Sequence, residues 1–259
     1  MKIPIYQVDA FTSNLFGGNP AAVCPLTEWI DPGLMQGIAA ENNLSETAFF
    51  VKKNDFYELR WFTPEIEVDL CGHATLATGF VLFNHLNYND GEIKFETKSG
   101  RLTVTRSDDL ITLDFPASPP EKADPPDCLI EGLGKKPFEV YKSRDYLALF
   151  ETEKEVLSIQ PDFKILGKLE TLGIIITAKG DTSDFVSRFF APSAGIDEDP
   201  VTGSAHTTLV PFWAKKLNKT KFHAFQVSKR GGELFCQLAG DRVLISGRAK
   251  TYLTGEIKI

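Results

Sequence analysis

Two short stretches combine residue types that could support acid–base chemistry. One is Cys71-Gly72-His73, and the other is Thr202-Gly203-Ser204, which follows Asp199 closely. Each stretch opens a long apolar segment, which predicts a buried helix. A helix start offers free backbone N–H groups and a partial positive charge, so it favours a carboxylate or an enolate-like oxygen. We therefore expect anion binding at Gly72 and Gly203, with directional hydrogen bonds from His73, Ser204 and Asp199.

A candidate proton carrier lies in a different part of the chain. Glu46 precedes the apolar run Thr47-Ala48-Phe49-Phe50-Val51, which predicts a strand with Glu46 at its entrance. Burial among apolar groups makes a carboxyl group hold its proton more readily, which suits it to proton transfer near neutral pH. The alternative is that Glu46 points to solvent, and its spacing alone does not decide between the two.

The other candidates also have purely structural interpretations. His73 could be a hydrogen-bonded histidine of a first helical turn, and Asp199 could cap the second helix. Cys71 could be a small buried residue, because free cysteines are usually buried and inert. The stretch Gly17-Gly18-Asn19-Pro20 lacks the spacing of either phosphate-binding glycine motif, so it favours a tight turn between strands.

An internal repeat indicates how these residues are positioned. Residues 60–64 (RWFTP) correspond to residues 188–192 (RFFAP), and the two helix starts correspond to each other. Residues 100–115 and 232–247 both alternate like a two-stranded hairpin. Three matched blocks in the same order predict two homologous domains, each with strands around one buried helix. Pro211 should kink or shorten the second helix, since it removes a backbone hydrogen bond.

The repeat and the proline content together set the predicted boundaries. We place an N-terminal domain at 1–117, a proline-rich linker at 118–126 and a C-terminal domain at 127–247. The closing segment, 248–259, is one strand more than the repeat requires, and pairing with the first domain would accommodate it.

Composition restricts the classes of partner. The net charge of −7 argues against nucleic acid or an anionic membrane as a partner. No run of 18 apolar residues occurs, so we expect no membrane span. The four cysteines show no CxxC spacing and the four histidines form no HExxH pair, so we expect neither disulfides nor a metal site. These features favour a cytoplasmic protein.

Four motifs together resemble those of the PhzF-like family, the phenazine-biosynthesis isomerase-like proteins. They are GGNPAAV at 17–23, NNLSETAFF at 42–50, RWFTPEIEVDLCGHATLA at 60–77 and DEDPVTGSAH at 197–206. The resemblance implies an α/β (α+β) fold of the diaminopimelate epimerase type. In this fold, two pseudo-symmetric domains each wrap a barrel-like, mostly antiparallel sheet around a central helix, with the site in the cleft between them. It also implies proton transfer without a cofactor, a small carboxylate-bearing substrate and a homodimer.

The resemblance also assigns roles to individual residues. Glu46 matches the family's general acid and base, and the residues that match substrate-holding positions are Gly72, His73, Asp199, Gly203 and Ser204. We expect His73 and Asp199 also to relay protons in catalysis, and Ser45 and Asn19 to contribute to substrate binding.

Diaminopimelate epimerase has a cysteine at the head of each central helix, whereas this chain has Cys71 at one and Thr202 at the other. A threonine hydroxyl does not ionise near neutral pH, so a two-cysteine racemase is disfavoured. The sequence therefore predicts an isomerase in which Glu46 alone moves the proton. Two alternatives stay open: an amino-acid epimerase or racemase that uses Cys71 with Glu46, and a non-catalytic protein that binds a small molecule.

Overall fold

A computed structural model describes all 259 residues, and the contacts among them define two compact units. Unit 1 comprises residues 1–115 and 245–259, and unit 2 comprises residues 116–244. The fold is mixed α/β, as predicted, and none of its helices combines the length and apolar character needed to cross a membrane.

The elements follow in chain order. Those up to residue 116 are β1 (Lys2–Ala10), β2 (Asn19–Leu26), α1 (Pro32–Asn42), β3 (Glu46–Lys52), β4 (Tyr57–Phe62), β5 (Glu67–Val68), α2 (Gly72–Asn84), β6 (Glu92–Thr97), β7 (Gly100–Ser107) and β8 (Leu110–Pro116). Those after it are β9 (Glu121–Lys122), α3 (Asp127–Leu133), β10 (Glu139–Lys142), β11 (Tyr146–Leu149), α4 (Glu153–Ser158), α5 (Phe163–Leu166), β12 (Ile174–Lys179), β13 (Phe185–Ala191), a 3-10 turn (Pro192–Ala194), β14 (Ile196–Asp199), α6 (Gly203–Leu217), β15 (Lys221–Gln226), β16 (Gly232–Ala239), β17 (Arg242–Gly247) and β18 (Ala249–Lys258).

Unit 1 builds its strands around α2. β1 pairs antiparallel with β2 and β18, β2 runs parallel to β3, and β3 runs antiparallel to β4. β4 then pairs antiparallel with β5 and parallel with β6, and β6, β7 and β8 form an antiparallel series. α2 packs on β1, β2, β3, β7 and β18, and ten of its 13 residues are buried. Its apolar surface on all sides is therefore explained by contact with strands on several sides.

Unit 2 repeats this connectivity around α6. β11 runs parallel to β12, β12 antiparallel to β13, β13 antiparallel to β14 and parallel to β15, and β15 antiparallel to β16. Trp213 of α6 stacks on Phe185 with ring centroids 5.7 Å apart, and its Nε1 donates to Thr177 Oγ1 at 3.0 Å. The repeat in the sequence is thus a repeat of strand order around a buried helix.

Each unit contains the arginine of the repeat in a bidentate ion pair. In unit 1, Arg60 holds Glu67 with contacts of 2.7 and 2.8 Å. In unit 2, Arg188 holds Glu198 with contacts of 2.7 and 2.9 Å and also donates to two backbone carbonyls, at 3.2 and 2.8 Å. The forked guanidinium suits this two-point contact, and it ties the strand before each central helix to the segment that leads into the helix.

Helix α1 has a side-chain cap at its start. The Asp31 side chain caps it by accepting from the N–H groups of Gly33 and Leu34, at 2.9 and 3.2 Å. The predicted effect of Pro211 is wrong in one respect, because α6 continues through this residue to Leu217. Pro211 cannot donate to the carbonyl of Thr207, four residues earlier, but that carbonyl accepts from the Ser118 N–H at 2.9 Å instead.

The proline-rich stretch predicted as a linker is partly ordered into the fold. Its residues Glu121 and Lys122 form β9, which pairs antiparallel with β10. At the other end of the chain, β18 pairs with β1 along its length, from Lys2 opposite Lys258 to Ala10 opposite Ala249.

Candidate functional site

Three elements of unit 1 bring the candidate proton carriers together. The parallel strands β2 and β3 have their amino ends at the same edge, in a register that sets Ala21 opposite Glu46. Asn19 opens β2, Glu46 opens β3, and His73 lies in the first turn of α2. The alternative in which Glu46 points to solvent is wrong, since Glu46 is only 9% exposed.

The contact between His73 and Glu46 is the centre of this cluster. Nε2 of His73 lies 3.0 Å from Oε2 of Glu46. The two atoms are close enough to form a hydrogen bond but are not well aligned for one, and neither has another hydrogen-bond partner. Buried polar atoms normally have well-directed partners, and leaving one unpaired costs about 1–3 kcal/mol. The pair is therefore available to a group that enters the site.

The other ring nitrogen of His73 is held from two sides. Nδ2 of Asn19 lies 3.1 Å from Nδ1 of His73, and Sγ of Cys71 lies 3.5 Å from the same atom. Ser45 supports Asn19 by donating from its hydroxyl to the amide oxygen at 3.4 Å. Nδ1 accepts from an amide N–H or a thiol when the ring is neutral, and it donates to the amide oxygen or to the sulfur when the ring is charged, so these contacts hold the ring in either state.

The charges of the cluster follow from burial and from its one carboxylate. Burial raises the pKa of the Cys71 thiol to about 11, and Glu46 reinforces the shift, so the thiol is protonated near neutral pH. Burial alone would lower the pKa of His73, but the contact with Glu46 raises it well above its usual value, so the ring is an imidazolium near neutral pH.

Glu46, Cys71 and His73, which we call the Glu–Cys–His cluster, also have the donor types that bind metal ions. One oxygen, one sulfur and one nitrogen from these residues lie within 4.8 Å of one another. The rules for sequence spacing do not detect this group, because its members come from two elements that are distant in the chain. The expectation of no metal, based on that spacing, stays a prediction.

In unit 2, a buried polar network surrounds the start of α6. The Thr202 hydroxyl donates to the Asp199 carboxylate in a short contact. Gln226, at the end of β15 and 1% exposed, accepts from the Thr202 N–H at 2.8 Å and donates to the Asp199 carbonyl at 2.8 Å. These bonds fix the position of the loop that carries Asp199.

Two further side chains complete this region. Arg144 donates to the Ser204 hydroxyl at 3.1 Å and forms an ion pair with the buried Asp145 at 2.9 Å. His206 is fully buried, and its Nδ1 lies 2.9 Å from the Thr202 carbonyl, which it must donate to. Burial lowers the pKa of His206 to about 4, although the bond to the carbonyl opposes this shift, so the ring is neutral at pH 7.

The structure brings the predicted site residues together within each unit. Unit 1 gathers Asn19, Ser45, Glu46 and His73, with Gly72 opening α2; unit 2 gathers Asp199 and Ser204, with Gly203 opening α6. Sequence reasoning missed Gln226, Arg144 and His206. The first two lie outside every motif, and only the TGSAH stretch could have drawn attention to His206.

The start of neither central helix is capped by its own N-cap side chain, Cys71 or Thr202. No N-cap side chain therefore competes for the N–H groups of the first turn, and anion binding there stays a prediction.

The unit 2 counterpart of Glu46 is a glycine. With the RWF and RFF repeats aligned, β3 on β4 and β12 on β13 have the same register: Thr47 lies opposite Phe62, and Ile174 lies opposite Phe190. The residues one position earlier are Glu46 and Gly173. A Cβ at Gly173 would lie 2.1 Å from the ring of Phe189, so no side chain fits there as the structure stands.

Comparison with known proteins places these features in a family. The model of the phenazine biosynthesis-like protein family, PhzC-PhzF, matches residues 8–255. An uncharacterized isomerase of Pseudomonas aeruginosa is 50% identical over 259 residues, which cover all of both chains. A crystal structure of a PhzF-family phenazine biosynthesis protein from Enterococcus faecalis is 49% identical, covers all of both chains and has a TM-score of 0.98. A predicted epimerase from P. aeruginosa, 20% identical over 98% of this chain and 99% of its own, has a TM-score of 0.74 and shows a shared fold alone.

Proposed function

We propose that this chain, which belongs to the phenazine biosynthesis-like family and is an isomerase, moves a proton within a small carboxylate-bearing metabolite. In this proposal Glu46 is the general acid and base. One observation supports this most directly. Glu46 and His73 form a buried pair whose facing atoms are 3.0 Å apart and lack aligned partners. A substrate C–H or O–H group in contact with these atoms would meet a carboxylate with an imidazolium beside it.

The geometry suggests a sequence of steps. The N–H groups at the start of α2, where no side chain caps the helix, bind the substrate carboxylate. Glu46 takes a proton from carbon, and the electron pair spreads toward the carboxylate as an enolate-like anion. The same carboxyl group then returns a proton to a different carbon, while the His73 imidazolium stabilises the negative charge and can exchange protons with Glu46. Each well-placed general acid or base contributes about 10²–10⁴-fold to the rate.

Electrostatics explain why one carboxyl group can serve both steps. The His73 cation lies 3.0 Å from the Glu46 carboxyl group and stabilises the negative charge that develops on the substrate. The buried surroundings then favour prompt return of the proton, because water does not compete for it. No cofactor is needed for a shift of this kind. The roles of Asp199, Gly203 and Ser204 in holding the substrate stay predictions from the family resemblance, as do the homodimer and the cytoplasmic location.

The decisive variant is Glu46→Gln, which keeps the size and hydrogen-bonding capacity of the side chain but cannot carry a proton. A thermal-shift screen against small cyclic and unsaturated carboxylic acids selects ligands. These ligands are then incubated with the protein in deuterated water and followed by NMR. We expect the wild type to form an isomer and incorporate deuterium at carbon, and Glu46→Gln to be slower by about 10²–10⁴-fold.

The matched control is Glu65→Gln, the same substitution at an exposed glutamate of the same unit. It should keep the wild-type rate. Undiminished turnover by Glu46→Gln on an identified substrate would refute the assignment. Binding without any exchange in the wild type would favour the alternative of a non-catalytic binding protein.

An epimerase that uses Cys71 with Glu46 is the second candidate, supported by the 3.5 Å contact between Cys71 Sγ and His73 Nδ1. The raised pKa of the thiol, about 11, counts against it, because a thiolate is the form that abstracts a proton. Cys71→Ala separates the two candidates. The epimerase requires it to be as damaging as Glu46→Gln, whereas the single-carboxylate mechanism requires a much smaller loss.

A further inference from the structure

The Glu–Cys–His cluster has a second chemical capability that the proton-shift mechanism does not use. We propose that Glu46, Cys71 and His73 form a binding site for one thiophilic divalent cation of the zinc class, and that a bound cation blocks the proton carriers. The site is then an isomerase centre that such an ion can inhibit.

The spacing of the donor atoms fits this kind of ion. A tetrahedral Zn²⁺ with bonds of about 2.3 Å to sulfur and about 2.0 Å to nitrogen or oxygen holds its sulfur and nitrogen ligands about 3.5 Å apart, and nitrogen and oxygen about 3.3 Å apart. In the structure, Glu46 Oε2 lies 3.0 Å from Nε2 of His73, close to the spacing that such an ion requires. Cys71 Sγ lies 3.5 Å from the other ring nitrogen, and one donor atom of each residue lies within 4.8 Å of the other two, so a bound ion would draw the sulfur toward Nε2.

Two features of the cluster favour the binding of a cation. Oε2 of Glu46 and Nε2 of His73 are buried polar atoms with no well-directed hydrogen bond. Asn19 holds the opposite ring nitrogen at 3.1 Å, and its amide can present either nitrogen or oxygen there. A metal-bound histidine usually donates its second N–H to such an oxygen, which fixes the ring.

The donor set balances the charge of the ion. A coordinated cysteine is a thiolate and a coordinated histidine is neutral, so the protons that they carry go to solvent and their lone pairs go to the cation. The bound site then contains a dication, a carboxylate, a thiolate and a neutral imidazole, which have no net charge. The buried site therefore holds no uncompensated charge when the ion is bound.

The ligand set is also selective. One sulfur and one nitrogen favour Zn²⁺, Co²⁺ or Cd²⁺ over Mg²⁺ and Ca²⁺, which prefer oxygen ligands. Three protein ligands leave a fourth position open for water or a substrate group. Among the 259 described residues, this is the one group of three histidine, cysteine or acidic side chains close enough to share an ion.

Cobalt provides the direct test, because its spectrum reports its ligands. The full-length apoprotein is titrated with Co²⁺ without oxygen, in weak buffer with a pH indicator. We expect a thiolate-to-cobalt charge-transfer band and the visible bands of four-coordinate Co²⁺, both saturating at one equivalent, with release of protons to the buffer. Cys71→Ala should lose the charge-transfer band, and Cys71→Ala and His73→Gln should each bind at least about 10-fold more weakly.

The matched control is Cys128→Ala, which removes the most exposed of the four cysteines and should leave the spectrum unchanged. Circular dichroism verifies that each variant is folded, and Cys71→Ser replaces Cys71→Ala if the alanine variant is not. The proposal is overturned if the wild type shows no sulfur band, or if the band survives in the Cys71 variant and disappears in Cys128→Ala.

Turnover provides a separate test of inhibition. Zn²⁺ should slow deuterium exchange by the wild type, and a chelator should restore it. Metal binding by spectroscopy together with full activity of Glu46→Gln would refute the proposed catalytic role and leave the metal site intact. Loss of activity in Glu46→Gln, together with no cobalt spectrum in the wild type, would refute the metal site and leave the catalytic role intact.

Discussion

Lowering the pH from 7 to 5 should destabilise the protein through His206, the fully buried histidine of α6. Burial lowers the pKa of this ring from 6.5 to about 4 in the folded protein, although its bond to the Thr202 carbonyl works in the other direction. Since the folded-state pKa is the lower one, the unfolded chain binds more protons between pH 6.5 and pH 4. The stabilisation is therefore complete above pH 6.5 and is lost as the pH falls toward 4.

The size of the effect follows from the two pKa values. At pH 5 the unfolded histidine is almost fully protonated, while the folded one is still almost neutral. The linkage relation then gives a loss of about 2 kcal/mol between pH 7 and pH 5, a large part of the stability of a typical domain. Urea midpoints at the two pH values measure it, with tryptophan fluorescence as the signal.

His206→Asn serves as the test variant, because its amide can still donate to the Thr202 carbonyl but does not titrate. This variant should have a lower urea midpoint than the wild type at both pH values. Between pH 7 and pH 5, its free energy of unfolding should fall by about 2 kcal/mol less than that of the wild type. Equal losses in the wild type and in His206→Asn would refute the reasoning, as would an NMR titration of His206 with a midpoint near 6.5.

Two further predictions concern stability. Gly173→Ala should cost about 1–3 kcal/mol, because the new Cβ overlaps the buried ring of Phe189; an unchanged urea midpoint would contradict this. Arg188→Lys should cost about 3 kcal/mol, since a lysine cannot both hold Glu198 at two points and satisfy two backbone carbonyls. Arg60→Lys, the matched change in unit 1, should cost about 1 kcal/mol, because Arg60 is less buried than Arg188 and holds no carbonyl. Equal midpoint shifts for the two arginine variants would refute this comparison.

The duplicated architecture could be predicted from the sequence because local signals repeat in the same order. The arginine-aromatic strands, the small-residue helix starts and the alternating hairpins each occur twice, and each pair adopts the same connectivity. The continuation of α6 through Pro211 could not be predicted. It depends on the Ser118 N–H reaching the Thr207 carbonyl, a contact between residues 89 positions apart in a stretch that gave no helical signal of its own.

The residues of the candidate site also separate into those that the sequence predicts and those that only the folded structure reveals. Glu46, His73 and Asn19 were found because they lie in motifs, and their proximity follows from parallel strands that start at one edge. The burial of Glu46 could not be read from its own strand, since an entrance position can face either way. Gln226 was missed because a glutamine at the end of an alternating strand looks like any polar end residue; only the folded loop shows that it holds Asp199.

The glycine that occupies the Glu46 position in unit 2 limits how this protein could acquire a new stereochemical course. A symmetrical enzyme with one acid on each half would require a carboxylate at Gly173, but the aromatic ring of Phe189 already fills that space. A single substitution at residue 173 would therefore disrupt packing before it placed a second carboxylate there. A smaller residue at Phe189 would have to come first, so one substitution at a time does not readily make the two units alike at this position.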